Sequence, residues 1–218
     1  VVRVGGDAAH FTGLREEARR LPQQVGHRWH ERALLYDRNS PAHGPAAARR
    51  AAGERARAEP PDLAAYGSTL IGAVLTEDMV FCWQLGDGDF VLVDDGGTPR
   101  TPLWTGPDMG DETDSLCAPE PWRKTRSYWQ PFTGGPPPCV LLSTDGLSKS
   151  FTDDQGFLDF ATGVRGRAAE QGVEAVQAQL PDWLARAATF SGDDTTLVGA
   201  IAVPAQRSDD PSRQEGTA

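Results

Sequence analysis

The feature that most constrains this chain is a set of short apolar runs beginning near Tyr66, each closed by a tight polar turn. Thr69–Leu75, Met79–Leu85 and Phe90–Val93 are rich in Val, Leu, Ile and Phe. They are separated only by Thr76-Glu77-Asp78 and by Gly86-Asp87-Gly88-Asp89. Such runs are short for helices and their linkers are turn formers, so the chain must double back on itself as an antiparallel meander. Val140-Leu141-Leu142-Ser143 predicts another short buried strand, closed by a turn at Thr144-Asp145-Gly146, and a final strand is predicted over Thr196–Val203, ending at Pro204.

Two stretches have helical periodicity instead. Leu14, Ala18, Leu21, Val25, Trp29 and Ala33 predict a helix over residues 14–36, kinked at Pro22, and Val173, Val176, Leu180 and Leu184 predict a second over about 172–189. Residues 40–62 are Ala/Arg-rich without large apolar side chains and read as a loop or a peripheral helix. Residues 95–138 are a polar excursion that Trp104, Trp122, Tyr128 and Trp129 are expected to pin to the sheet. Residues 205–218 hold no large apolar residue and are expected to be a disordered tail, which leaves 1–204 as one domain. Helix, consecutive strands, helix, strand is an α+β order, not a βαβ alternation. The Gly86-Asp87-Gly88 turn lies between two strands, so it is no dinucleotide-binding fingerprint.

Charge narrows the function. The formal net charge is −10, and it is uneven: residues 1–65 carry 11 Lys+Arg against 8 Asp+Glu, the remainder 10 against 23. A chain without surplus cations cannot displace phosphate counterions, which argues against a nucleic-acid partner. No run approaches the roughly 18 apolar residues of a membrane span. Cys82, Cys117 and Cys139 are odd in number and widely spaced, which fits neither a disulfide framework nor a metal knuckle and suggests a reducing, cytoplasmic setting. The four histidines, His10, His27, His30 and His43, all precede the strands, which argues against a His-based catalytic triad. His27 and His30 could share a metal across one helical turn, but no third ligand accompanies them.

The acidic strand ends are the informative residues. Asp87 follows one strand, Asp145 follows a strongly apolar one, and Asp193-Asp194 precede another. Singly, each is an ordinary turn former or helix cap. Carboxylates at the ends of neighbouring buried strands converge, however, and repel one another unless a cation neutralises them.

These residues also carry a family resemblance. Leu142-Ser143-Thr144-Asp145-Gly146-Leu147 resembles the "TDG" strand and turn of the metal-dependent protein phosphatases of type 2C. Ser191-Gly192-Asp193-Asp194-Thr195-Thr196-Leu197-Val198 is similar to their late "DN/DD-x-T" motif, and Leu85-Gly86-Asp87-Gly88-Asp89 to their "VGDG/VGDS" hairpin. Gly110-Asp111-Glu112-Thr113-Asp114-Ser115-Leu116 resembles the "NET" segment of a bacterial subgroup. The four occur in family order over about 66–203.

The resemblance implies two antiparallel sheets packed face to face with helices outside. It also implies a site for two Mn²⁺ or Mg²⁺ ions, from which a metal-bridging water attacks phosphoserine or phosphothreonine in line. By position, Asp145 and Asp193 would hold the catalytic pair, Asp87 with Asp145 would face a weaker third ion, and Asp194 would be structural. The family's early Asp-Gly, whose carboxylate bridges both ions and whose Gly carbonyl ligates one, should stand just before the first helix. Here that place reads Val4-Gly5-Gly6-Asp7-Ala8. Either Gly5-Gly6 replaces the motif or Asp7-Ala8 is a degenerate copy shifted by two, with Asp7 and the Gly6 carbonyl as the remaining candidates. His10 could echo a family acid near this turn, although an ordinary surface histidine accounts for it as well. The family's preceding strands, with a first Asp and a phosphate-binding Arg, would lie before Val1. The implied function is dephosphorylation of phosphoproteins, the products of serine/threonine kinases among them. The alternative is a catalytically impaired regulatory module that binds a phosphoprotein or a kinase.

Overall fold

Leu14 and Ala18 lie one turn apart on the first helix, α1 (Ala8–Asn39), and cover the outer face of a sheet. The computed structural model describes residues 8–39, 63–76, 78–104, 113–132 and 139–202. The Gly5-Gly6-Asp7 motif, the Ala/Arg-rich stretch 40–62 and the expected tail lie outside the described residues. The helix is longer at both ends than its apolar periodicity predicts, taking in residues 8–13 and 37–39 as well. Pro22 sits within it. Near its C-terminus the buried Asp37 accepts a hydrogen bond from the Tyr66 hydroxyl at 3.1 Å, which satisfies a carboxylate that would otherwise be costly to bury.

The strands form two antiparallel sheets. One has the order β1 (Leu70–Leu75), β2 (Met79–Leu85), β5 (Arg126–Pro131); the other is β4 (Pro99–Arg100), β3 (Asp89–Val93), β6 (Cys139–Ser143), β7 (Leu197–Ile201). Side chains alternate across each strand, and in β2, β3 and β6 both faces are covered. Met79 and Phe81 of β2 point toward α1 while Val80 and Cys82 point into the space between the sheets. Phe90 and Leu92 of β3 meet them there, and Val91 and Val93 turn outward with Cys139 and Leu141 against α3 (Asp154–Gln171) and α4 (Val173–Ser191). The result is a helix–sheet–sheet–helix sandwich, the α+β fold expected. Burial on both faces is why β2 and β3 read as unbroken apolar runs instead of alternating ones. Each fully buried side chain such as Phe81 or Leu92 is worth about 1.5–3 kcal/mol of burial.

Cross-strand fit explains Gly72. It pairs with Trp83, and a Cβ there would stand 2.5 Å from the indole Cζ2, so the residue must be glycine for the ring to lie across the strand.

The structure corrects several details. β5 lies inside the supposed excursion: Tyr128 enters the space between the sheets and Trp129 faces α1, but Arg126-Ser127-Tyr128-Trp129-Gln130-Pro131 has no apolar run and depends on its pairing with β2. Trp122 packs edge-on against His27 of α1, centroids 4.5 Å apart, whereas Trp104 is 57% exposed. The predicted turn at Asp145 is instead a one-turn helix, α2 (Asp145–Ser148). Helix α3 was not predicted, because its buried face of Phe157, Ala161, Val164 and Ala168 is small and is diluted by Gly156, Gly163 and Gly166. Asp153 caps it, accepting from the Gly156 amide at 2.8 Å. The three cysteines are unpaired, and burial pushes the thiols of Cys82 and Cys139 up to about 12, so these two are inert. No helix among the described residues is long and apolar enough to cross a membrane.

Candidate metal centre

Sheet register decides where the acidic motifs meet. Asp89 at the start of β3 is paired with Ser143 at the end of β6, and Ser143 with Leu197 at the start of β7. Asp87 lies two residues before the first of these, Asp145 two residues beyond the second, and Asp193 four before the third. All three are therefore delivered to one rim of the second sheet.

The hairpin holding Asp87 is braced from beneath. Gly86 has φ +93°, a conformation that favours glycine, and a Cβ on it would clash with Thr69 at 2.5 Å. Its carbonyl accepts from the buried Gln84 Nε2 at 3.1 Å and from the Arg126 guanidinium at 2.9 Å, while Gln84 Nε2 also donates to the Gly88 carbonyl. Thr113, from the segment resembling "NET", donates to Asp87 Oδ2 at 3.2 Å. Gly110, Asp111 and Glu112 lie outside the described residues.

The other two motifs are fastened to each other. Thr144 Oγ1 donates to the Asp194 carbonyl at 3.1 Å and accepts from the Thr196 amide at 2.9 Å. Gly146 lies so close that a Cβ would meet the Asp194 carbonyl at 2.5 Å and Asp193 Cβ at 3.2 Å. The residue after Asp145 is thus packed directly against Asp193 and Asp194. Thr195 Oγ1 donates to the Leu184 carbonyl at 2.9 Å, which ties the motif to α4. Asp194 contributes through its backbone, while Asp193 Oδ1 accepts the Asp194 amide at 2.8 Å.

Two residues of this rim were not singled out in the sequence. Lys149 forms an ion pair with Asp145 Oδ2. That hydrogen bond, with the charges of Asp145, Asp87 and Asp193, holds its ammonium above the usual lysine range against a smaller opposing effect of burial. Asp89 is the other. Burial foremost, then the charges of Asp145 and Asp87, push its carboxyl up to about 6, although the Ser148 and Ser143 hydroxyls favour the charged form. Its Oδ2 and Ser143 Oγ nonetheless make no hydrogen bond of normal geometry. The i, i+4 spacing from Asp145 to Lys149 was the available signal for the first; nothing local marked the burial of the second.

The donor chemistry fits a hard divalent cation: every charged donor is a carboxylate oxygen, the buried Asp89 Oδ2 and Ser143 Oγ are both orphaned, and an ammonium already stands among the carboxylates as a cation in their midst. Among the described residues there is no group of three or more His, Cys, Asp or Glu that could hold a metal ion. Gly6 and Asp7, the remaining candidates, lie outside the described residues. His27 is engaged with Trp122 and has no part in this rim.

Comparison with known proteins agrees with the motifs. The family model described as protein phosphatase 2C matches residues 6–185. None of the curated proteins matches the chain in sequence. Among solved structures, a bacterial serine phosphatase is 15% identical with a TM-score of 0.45, covering 63% of this chain and 59% of its own. PppA, a key regulatory component of T6SS in Pseudomonas aeruginosa, is 14% identical with a TM-score of 0.47, covering 93% of this chain and 74% of its own. The catalytic domain of the serine/threonine protein phosphatase PstP, in complex with two manganese ions, is 16% identical with a TM-score of 0.39, covering 63% of this chain and 60% of its own. The chain spans less than two thirds of the length of the first and third of these. The match over residues 6–185, with the ordered acidic motifs that the fold brings to one rim, places the chain in the protein phosphatase 2C family.

Proposed function

We propose that this chain is a metal-dependent protein phosphatase acting on phosphoserine and phosphothreonine. The observation that carries the reading is the strand register that delivers Asp87, Asp145 and Asp193 to one rim. Asp145 and Asp193 would hold the catalytic cations, with Asp7 and the Gly6 carbonyl as the remaining candidates, and Asp87 with Asp145 would serve a weaker ion. Bound Mn²⁺ or Mg²⁺ supplies an acidified water and neutralises charge on the phosphoryl oxygens. The chain's own residues orient that chemistry: Gln84 and Arg126 hold the Asp87 hairpin, and Thr144 holds the two later motifs together. The substrate is a phosphoprotein in a cytoplasmic setting, the product of a serine/threonine kinase.

The test is hydrolysis of a phosphothreonine peptide and of p-nitrophenyl phosphate with and without Mn²⁺. Wild type should turn over only in the presence of metal, and Asp145→Asn or Asp193→Asn should lose on the order of 10² to 10³ in rate. Metal-independent turnover, or full activity in both variants, would overturn the reading. The departure at Gly5-Gly6-Asp7 favours a second reading, a phosphatase-like module that binds its phosphoprotein or kinase partner without turnover. Phosphopeptide binding and a single weak Mn²⁺ site, with no hydrolysis, would select it.

A further inference from the structure

The ammonium of Lys149 sits where the acidic rim would take a cation. Lys149 lies four residues after Asp145, and its amide donates to the Asp145 carbonyl at 2.9 Å as the backbone continues in helical conformation. That turn places both side chains on one face, where the ammonium pairs with Asp145 Oδ2. The two partners differ in freedom. The Asp145 side chain is only 19% exposed, the Lys149 side chain 59%, so the carboxylate is fixed by the fold and the lysine reaches in from solvent. Asp87 and Asp193 act on the same ammonium. Nearby cations are committed elsewhere: Arg126 to the Gly86 carbonyl, Lys124 to Asp114.

We propose that Lys149 is a built-in counter-cation of this rim, seated on Asp145 in the place of a divalent ion, so that loading the site exchanges one cation for another. The proposal rests on the metal-site reading above and adds to it a residue that sets the metal threshold. An ammonium neutralises one charge through flexible hydrogen bonds, whereas a divalent ion draws oxygens from several carboxylates at about 2.0–2.6 Å. The divalent ion therefore displaces the lysine, but at an apparent affinity lowered by the pair that must first be broken. Without metal, the lysine keeps converging carboxylates from driving the turns apart. When metal enters, the released side chain regains its rotamer freedom in water.

The experiment is calorimetric titration of Mn²⁺ into the full chain stripped with chelator, alongside thermal melts with and without Mn²⁺. Lys149→Met should bind Mn²⁺ up to about fivefold more tightly than wild type, the scale of one partly exposed charge pair. Its metal-free melting temperature should fall while its Mn²⁺-saturated one stays near that of wild type. Lys149→Arg, which keeps the charge, and Lys124→Met, which makes the same change in net charge at another ion pair, should both stay within about twofold of wild type. Lys149→Gln serves as the second neutral variant if the Met form does not fold. Wild type binding Mn²⁺ with neither neutral variant tighter would overturn the exchange and leave the metal site standing, as would equal tightening by Lys124→Met. No Mn²⁺ binding by wild type or variant would overturn the metal site and the exchange together.

Discussion

Thr144 and Thr196 clasp the open ends of β6 and β7. The Thr144 amide donates to the Thr196 carbonyl at 3.2 Å, and the Thr196 amide returns a bond to Thr144 Oγ1 at 2.9 Å. The same hydroxyl donates to the Asp194 carbonyl. One side chain thus spans the two motifs that carry Asp145 and Asp193.

Thr144→Val removes that hydroxyl while keeping the branched shape. It should destabilise the fold by about 1–2 kcal/mol in urea unfolding, and Thr144→Ser should recover most of the loss. An unchanged midpoint in the Val variant would mean that water replaces the hydroxyl at no cost.

Two glycines should respond to alanine with opposite sign. At Gly146 a Cβ meets the backbone carbonyl of Asp194 at 2.5 Å, and backbone cannot give way as a flexible side chain would. Gly146→Ala should cost about 2–3 kcal/mol and weaken Mn²⁺ binding, since Asp193 must move with its neighbour. At Gly163, in the interior of α3, nothing lies within 4 Å. Gly163→Ala should raise stability by about 0.5–1 kcal/mol through helix propensity alone. Melting curves of both variants check the pair.

Asp89 makes stability depend on pH. Its carboxyl titrates near 3.8 when unperturbed and at about 6 in the fold, so the folded chain holds the proton more tightly than the unfolded one. Its contribution is intact below about pH 4 and is lost as the pH rises through about 6, amounting to up to about 3 kcal/mol. Asp89→Asn should flatten the melting-temperature profile between those limits in chelator, and its advantage over wild type should be larger at pH 7.5 than at pH 4. Parallel profiles for the two proteins would show that Asp89 is well solvated or paired.

The N-terminal departure can be probed directly. If Asp7 supplies the remaining carboxylate, Asp7→Ala should weaken Mn²⁺ binding and lower turnover, while Gly5→Asp should raise both. Wild-type turnover should be feeble. A rate of about 1 per second or more, typical of enzymes, with Asp7→Ala unchanged, would show that the cations are held by other residues.

The amino-acid sequence by itself determined what depends on neighbours in the chain. The apolar runs of β2, β3 and β6, the Gly86-Asp87-Gly88 turn between the first two, and the stripes of α1 and α4 follow from local periodicity and turn chemistry, which need no knowledge of the partner. The motif order also carried the family. Tertiary structure decided the rest. β5 is a strand because β2 offers it a ladder, and α3 is a helix because a wall of Val91, Val93 and Leu141 accepts its small face of Ala161, Val164 and Ala168. Thr144 and Thr196 are 52 residues apart in the chain, and only the β6–β7 register makes them neighbours. The same register buries Asp89 and sets Lys149 among three carboxylates from different turns. Burial and charge proximity are sums over segments distant in the chain, so they could not be read from any single stretch of it.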